Sequence, residues 1–148
     1  MANQLPLDTL LRLSSEKFDA CAKYLSAQNT ASAAAQRHYS LLQEYRYDYL
    51  LRLQRSMGSG MVGSDCQNYQ GFMGTLDSAI IQQSRVCSQT AQNLADARAA
   101  LQQAHQRRGA YEALIERDQR ARNAASSRRE QRLNDEFSSR RHFTLATA

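Results

Sequence analysis

The stretch "MGSGMVGSD", residues 57–65, contains three of the six glycines and is the one clear break in an otherwise helix-forming sequence. Between Pro6 and residue 57 the chain has neither glycine nor proline, which favours an uninterrupted helix. Because β-branched residues are scarce, the sequence predicts an all-α fold. We expect a first helix, a glycine-rich loop, a second helix and a frayed C-terminus at about 6–57, 58–64, about 65–140 and 141–148.

Apolar residues recur at coiled-coil spacing on both sides of the loop. Leu11 and Phe18 share one heptad position in the first helix, and Met73 and Ile80 share one in the second. A short loop between two long helices folds them back on each other. The sequence therefore predicts one coiled-coil domain over residues 1–148, a long antiparallel two-helix hairpin.

The second helix is expected to overhang the first, and the overhang carries the net charge. With a turn near residue 61, Leu7 would lie opposite about residue 117, so the chain beyond Arg117 has no partner within the hairpin. Residues 98–148 hold eleven arginines and six acidic residues, which accounts for the whole net charge of +5. Arginine favours bidentate contacts with carboxylates or phosphates. Interleaved acids would repel a nucleic-acid backbone, so a protein partner is favoured, with a merely solvated tail as the other interpretation.

No arrangement of residues points to catalysis. The glycines of the loop lack the lysine of a phosphate-binding loop, and the three histidines and three cysteines have no metal-ligand spacing. A two-helix hairpin also has almost no concave interior for a substrate. We therefore expect no enzyme activity, no catalytic residue, no cofactor and no metal.

Composition also indicates where the protein works. An odd number of cysteines without a CxxC motif fits a reducing compartment. No run of residues is long and apolar enough for a membrane span, and the N-terminal residues do not resemble a signal peptide. We expect a cytoplasmic protein that does not insert into the membrane.

The segment "NYQGFMGTLDSAIIQQ", residues 68–83, has two apolar lines at helical spacing where a hairpin needs one. The lines consist of Tyr69, Met73, Leu76 and Ile80, and of Phe72, Leu76, Ala79 and Gln83. Burial between the helices would explain the second line in full. An exposed binding surface would explain it equally well, with the flanking aromatic Phe72 as its anchor.

Six blocks of sequence, in this order and spacing, resemble the FliJ family of flagellar type III export proteins across essentially the whole chain. They are "PLDTLLRL" (6–13), "YRYDYLLRL" (45–53), "GSGM" (58–61), "NYQGFMGTLDSAIIQQ" (68–83), "AYEALIER" (110–117) and "RREQRLNDEF" (128–137). The resemblance implies a hairpin similar to the central stalk of rotary ATP synthases. It implies that the open end, made of both termini, enters a hexameric flagellar export ATPase and promotes its assembly and activity. It further implies a link to the export-gate membrane protein, escort of export chaperones, and a peripheral position at the inner-membrane export apparatus.

The resemblance also suggests which residues make these contacts. The ATPase-facing residues would be Leu7, Leu10, Leu11 and Leu13 at one terminus and Arg128, Arg129, Arg132 and Asp135 at the other. The export-gate surface would be Phe72, Leu76, Ala79 and Gln83, with Leu42, Tyr45 and Tyr49 as their neighbours in the predicted pairing. The last position of the family's surface is often basic or histidine-like, whereas this chain has Gln83.

Two other functions fit part of the pattern. One is the equivalent stalk of a non-flagellar type III secretion system, although the blocks at 68–83 and 128–137 favour the flagellar one. The other, from a different class, is a basic coiled-coil protein that binds nucleic acid through its arginines. Binding to phosphates would weaken steeply as salt rises, which distinguishes that function from an apolar stalk contact.

Overall fold

The computed structural model of the chain describes residues 4–60 and 62–147. It consists of two α-helices, α1 (Gln4–Gly58) and α2 (Gly63–Ala146), packed against each other, with no strand among the described residues. The all-α two-helix hairpin predicted from the sequence is thus confirmed. The longer second helix is also as predicted, because α2 has 84 residues and α1 has 55.

The glycine-rich loop is shorter than predicted, and the backbone shows why. Gly60 has a φ of 85°, a conformation that glycine adopts without strain. The hydroxyl and amide of Ser59 both donate to the Ser56 carbonyl at the end of α1, at 3.1 and 3.3 Å. The Val62 carbonyl then accepts from the amides of Asp65 and Cys66, at 3.1 and 3.2 Å, so α2 already begins at Gly63.

The C-terminal helix extends past the end near residue 140 that the sequence predicted. It runs to Ala146, and the amide of Thr147 still donates to the Phe143 carbonyl at 3.2 Å. The hydroxyl of Thr144 donates to the Arg140 carbonyl at 2.8 Å within the last turns. The segment 141–148, which the sequence predicts to be frayed, is therefore helical through residue 146. Ala148 lies outside the described residues.

The chain divides into two compact units, each made of one segment of α1 and one of α2. Unit 1 contains α1 up to Phe18 and α2 from Ala104 onward, and unit 2 runs from Asp19 to Gln103 through the turn. Cross-helix contacts in unit 2 join Ala35 to Gln83, Arg46 to Asp77, and Tyr49 to Tyr69 and Phe72. Positions fall along α1 as they rise along α2, so the two segments of unit 2 are antiparallel. The organisation as a single coiled-coil domain stays a prediction.

The core of each unit is thin and made mostly of small residues. The buried apolar positions are Ala35, Leu76, Cys87 and Ala97 in unit 2 and Ala104 in unit 1. In unit 1 the buried hydroxyl of Ser14 donates to the Leu11 carbonyl at 2.8 Å, which satisfies the only buried polar side chain of the described residues. Small side chains at four of these five positions let the helix backbones approach closely, whereas Leu76 is the one large apolar residue that is buried among the described residues. Cys21, Cys66 and Cys87 are free thiols.

Candidate functional site

An aromatic cluster on unit 2 contains three residues of the predicted export-gate surface. The ring of Tyr49 on α1 stacks on that of Phe72 on α2, with centroids 4.3 Å apart and an interplanar angle of 29°. The ring of Tyr69 on α2 also lies near that of Tyr49, with centroids 5.2 Å apart. Phe72 remains 45% exposed, and Tyr45, one turn before Tyr49, is also exposed. The cluster therefore presents aromatic surface to solvent while still joining the two helices.

The other predicted gate residues are more enclosed. Leu76 is buried, and Leu42 and Ala79 are half-buried. The side-chain amide of Gln83 is also half-buried and donates to the backbone carbonyl of Ala35 on α1, at 3.0 Å. The second apolar line is thus neither wholly exposed nor wholly buried, because Phe72 opens to solvent whereas Leu76 and Gln83 hold the helices together.

The Gln83 bond should contribute measurably to stability. We expect Gln83→Ala to lower the free energy of unfolding by about 1 kcal/mol, because a partly buried cross-helix hydrogen bond is lost. The matched control is Gln82→Ala, since Gln82 is exposed. Urea denaturation followed by circular dichroism compares the two. Equal midpoints for both variants would show that the Ala35 contact contributes nothing.

The four N-terminal leucines divide between two faces of α1. Leu7 and Leu11, one turn apart, are half-buried, whereas Leu10 and Leu13 are exposed. The first pair follows the heptad line predicted to pack on α2. The second pair is left for an external contact, so of the four predicted ATPase-facing leucines only Leu10 and Leu13 have much apolar surface available.

The end of α2 in unit 1 is a single exposed helix, which we call the tail and define as residues 123–147. Every residue of the tail is exposed. The described ion pairs of α2 within unit 1 are Arg108–Glu112, Arg120–Glu116 and Arg122–Asp118, and they stop before the tail begins. The predicted ATPase-facing residues Arg128, Arg129, Arg132 and Asp135 all lie on this tail, exposed and without an ion pair within the described part of the chain. Their charges are available to a partner.

Sequence reasoning missed a cluster that holds unit 1 together. The guanidinium of Arg108 lies over the ring of Phe18, 4.2 Å from its centroid, and the ring of His105 lies 5.9 Å from the same centroid. Arg108 also pairs with Glu112 at 3.6 Å. The signal in the sequence that could have indicated this cluster is Arg108 itself, a charged residue at a heptad position where an apolar one is expected. Its cation–π contact with Phe18 on the facing helix explains why an arginine is tolerated there.

A second feature that the sequence did not predict is an open groove on unit 2, of about 630 Å³. We call it the Tyr47–Ile81 groove. Its lining residues are Gln43, Arg46, Tyr47 and Leu50 of α1 and Asp77, Ile80 and Ile81 of α2. No single helix shows a clear apolar pattern here, because the groove forms only when the two helices meet.

The described residues contain neither a group of metal ligands nor a membrane-spanning helix. Within residues 4–60 and 62–147, no three side chains of His, Cys, Asp or Glu group together in a way that could hold a metal ion. In the same ranges no helix combines the length and the apolar character needed to cross a membrane.

The sequence of the chain matches one protein family over nearly its full length. The family model "Flagellar FliJ protein" matches residues 3–145, which include α1, the turn and all but the last residue of α2. The chain belongs to the flagellar FliJ family. It is 30% identical over 140 residues to a Flagellar FliJ protein of Salmonella typhi, and the match covers 95% of each chain. It is 29% identical over 140 residues to that of Escherichia coli (strain K12), again over 95% of each chain.

Membership confirms the family recognised from the six sequence blocks. FliJ proteins are components of flagellar protein export, and theirs is not a known enzyme family. Both relatives are flagellar proteins, which favours the flagellar interpretation over a non-flagellar secretion system. Membership in the family thus places the chain in the flagellar export machinery.

Proposed function

We propose that this FliJ-family chain is a non-enzymatic stalk and adaptor of flagellar export. Its open end, formed by the tail and the N-terminal leucines, inserts into the hexameric export ATPase and promotes its assembly and activity. The aromatic cluster around Phe72 binds the cytoplasmic part of the export-gate membrane protein. The same protein escorts export chaperones and works at the cytoplasmic face of the inner membrane.

The observation that carries this proposal is the exposed tail of unit 1. Every residue of the tail is exposed, so the tail lacks the tertiary packing from which most helices in proteins gain their stability. The tail arginines are unpaired with acids of the described chain, and a guanidinium forms bidentate contacts with carboxylates. Exposed Leu10 and Leu13 add apolar surface at the N-terminal end of the same unit. Together these features suit insertion into a protein ring lined with acidic and apolar groups.

ATP hydrolysis by the matching export ATPase tests this directly. We compare the full-length chain with a version that ends at Arg122, the last residue of α2 that is not fully exposed. Full-length protein should stimulate hydrolysis, and the shortened protein should not, because the inserting helix is gone. Helicity of the shortened protein, measured by circular dichroism, controls for folding.

A variant that alters only charge distinguishes the contacts made by the tail arginines from the length of the tail. Replacing Arg128, Arg129 and Arg132 together by serine keeps the tail but removes three unpaired charges, and it should reduce stimulation. The control is the same change at the two arginines of the last turns, Arg140 and Arg141. Stimulation that survives loss of the whole tail would rule out the tail as the inserting end and leave only the N-terminal leucines.

The export-gate contact predicts a loss of affinity on Phe72→Ala. Phe72 is a half-exposed aromatic residue, the type that anchors interfaces, so binding to the gate domain should weaken by about 1–3 kcal/mol. Isothermal titration calorimetry measures the affinity, with Phe143→Ala as the control because that residue is exposed on the tail. Gate affinity equal to that of the unaltered chain would remove the Phe72 contact from the proposal.

A further inference from the structure

The Tyr47–Ile81 groove lies on the opposite side of unit 2 from the proposed gate surface. Tyr45 and Tyr47 are two residues apart on α1, which separates them by about 200° around the helix. Phe72 and Ile81 are nine positions apart on α2, which again places them about half a turn from each other. The groove is therefore a separate surface, and neither the gate contact nor the ATPase contact accounts for it.

The groove combines an apolar floor with an acidic border. Tyr47 is 63% exposed and Ile81 is 57% exposed, which is unusual for two large side chains that lie together on one groove. On α1 the surface continues past Tyr47 to Glu44 and Asp48, which line the adjoining depression. Both carboxylates are exposed, and neither forms an ion pair within the described residues. Arg46 and Asp77 within the groove already neutralise each other at 2.6 Å.

The apolar floor and the acidic border together define which kind of helix could bind in the groove. A helix lying in a groove between two others presents anchors at a spacing of three or four residues. Here the anchors have to be apolar, and cationic groups have to follow them along the helix to meet Glu44 and Asp48. Arginine is favoured over lysine, because its planar fork binds a carboxylate through two hydrogen bonds.

The tail of the chain itself has this pattern. Arg129, Leu133, Phe137 and Arg141 follow each other at intervals of four residues, so an apolar pair is bracketed by an arginine at each end of a stripe about 18 Å long. Leu133 is 60% exposed and Phe137 is 69% exposed. No acid of the described residues pairs with either arginine. The charge and the apolar surface of the stripe are complementary to those of the groove.

We infer that the tail of one copy docks into the Tyr47–Ile81 groove of a second copy. Leu133 and Phe137 cover Tyr47 and Ile81, and a bracketing arginine pairs with Glu44 and Asp48. The two surfaces differ, so the contact is heterologous and leaves one free groove and one free tail at the ends of every assembly. The contact is small, which places it among weak, concentration-dependent interfaces.

This self-association does not depend on the proposed stalk function. If that function also holds, the docked tail is unavailable to the ATPase, so self-association and insertion exclude each other. The chain would then keep its apolar tail covered until a ring is present. The experiment below contains no ATPase, so its result separates the two proposals.

Sedimentation velocity across protein concentrations up to about 100 μM tests the contact, because a small interface is populated in that range. The unaltered chain should form dimers and larger species, and less of them at high salt, because the charged part of the contact is screened. Ile81→Glu removes the groove and Phe137→Ser removes the tail anchor. Each variant alone should associate at least about tenfold more weakly.

Mixing the two variants gives the decisive result. The Ile81→Glu chain keeps its tail and the Phe137→Ser chain keeps its groove, so an equimolar mixture should recover a one-to-one dimer that grows no further. Leu114→Ser is the control, because Leu114 is exposed on α2 before the tail begins and does not line the groove, and this variant should associate as the unaltered chain does. An unaltered chain that stays monomeric, or a mixture that does not recover the dimer, overturns the inference.

Discussion

Ala97→Asp should lower the free energy of unfolding by about 3 kcal/mol or more, enough to unfold much of a marginally stable protein. Ala97 on α2 is 0% exposed, the most buried residue of the described chain. A carboxylate there loses its water without gaining a partner, and its larger side chain also forces the helices apart. Denaturation by urea, followed by circular dichroism, measures the change in midpoint.

The neighbouring Ala95 provides the matched control, because it lies in the same helix and is exposed. Ala95→Asp makes the same chemical change and costs about 0.7 kcal/mol through helix propensity alone. The difference between the two variants isolates the burial of residue 97 from the preference of aspartate for other conformations. Similar losses at both positions would mean that the helices do not approach closely at Ala97.

The two helices and their pairing could be predicted because each depends on a local or periodic signal. The glycines at 58, 60 and 63 mark the turn, and the structure shows Gly60 at a positive φ that few other residues adopt. Once the turn is located, an antiparallel hairpin fixes which segments meet. The pairing that sets Leu7 opposite about residue 117 also sets Phe18 opposite about residue 106, and the Phe18 ring lies 5.9 Å from that of His105, centroid to centroid.

The distribution of exposed and buried residues within the apolar lines could not be predicted in the same way. Residues three or four positions apart on a helix are separated by only about 40–60° around its axis, and the distance between the helices decides which of them is covered. That distance is set by small residues such as Ala35 and Ala97, whose burial depends on the facing helix and not on their own hydrophobicity. Gln83 is an example, because its contribution to helix pairing comes from a hydrogen bond to a carbonyl on α1, 48 positions away in sequence. Nothing in the sequence around Gln83 indicates that bond.

Features built by both helices were the hardest to recognise. Tyr47 and Ile81 each lie outside the heptad lines of their own helix, so no periodic signal in the sequence marks either of them. Only the pairing of α1 with α2 brings them onto one groove. Arg108 was likewise unremarkable as a seam arginine until Phe18 was found beneath it.

The second large effect is expected at Leu76, where stability and binding have to be separated. Leu76 belongs to the proposed gate surface but is only 7% exposed, so most of its side chain packs between the helices and little of it is left for a partner. We expect Leu76→Ala to lower the free energy of unfolding by about 2–3 kcal/mol, near the lower end for a buried leucine because a two-helix core collapses more easily around the gap.

Leu133→Ala is the control for that change, since Leu133 is exposed on the tail and should lose less than about 0.5 kcal/mol. A third variant, Leu76→Met, conserves volume and should restore most of the stability. Leu76→Ala should also weaken binding to the export gate. If Leu76→Met restores that affinity together with the stability, Leu76 acts by holding Phe72 and Tyr49 in place. If Leu76→Met is stable and still binds the gate weakly, the leucine touches the partner itself, and the buried position seen in the free protein must open on binding.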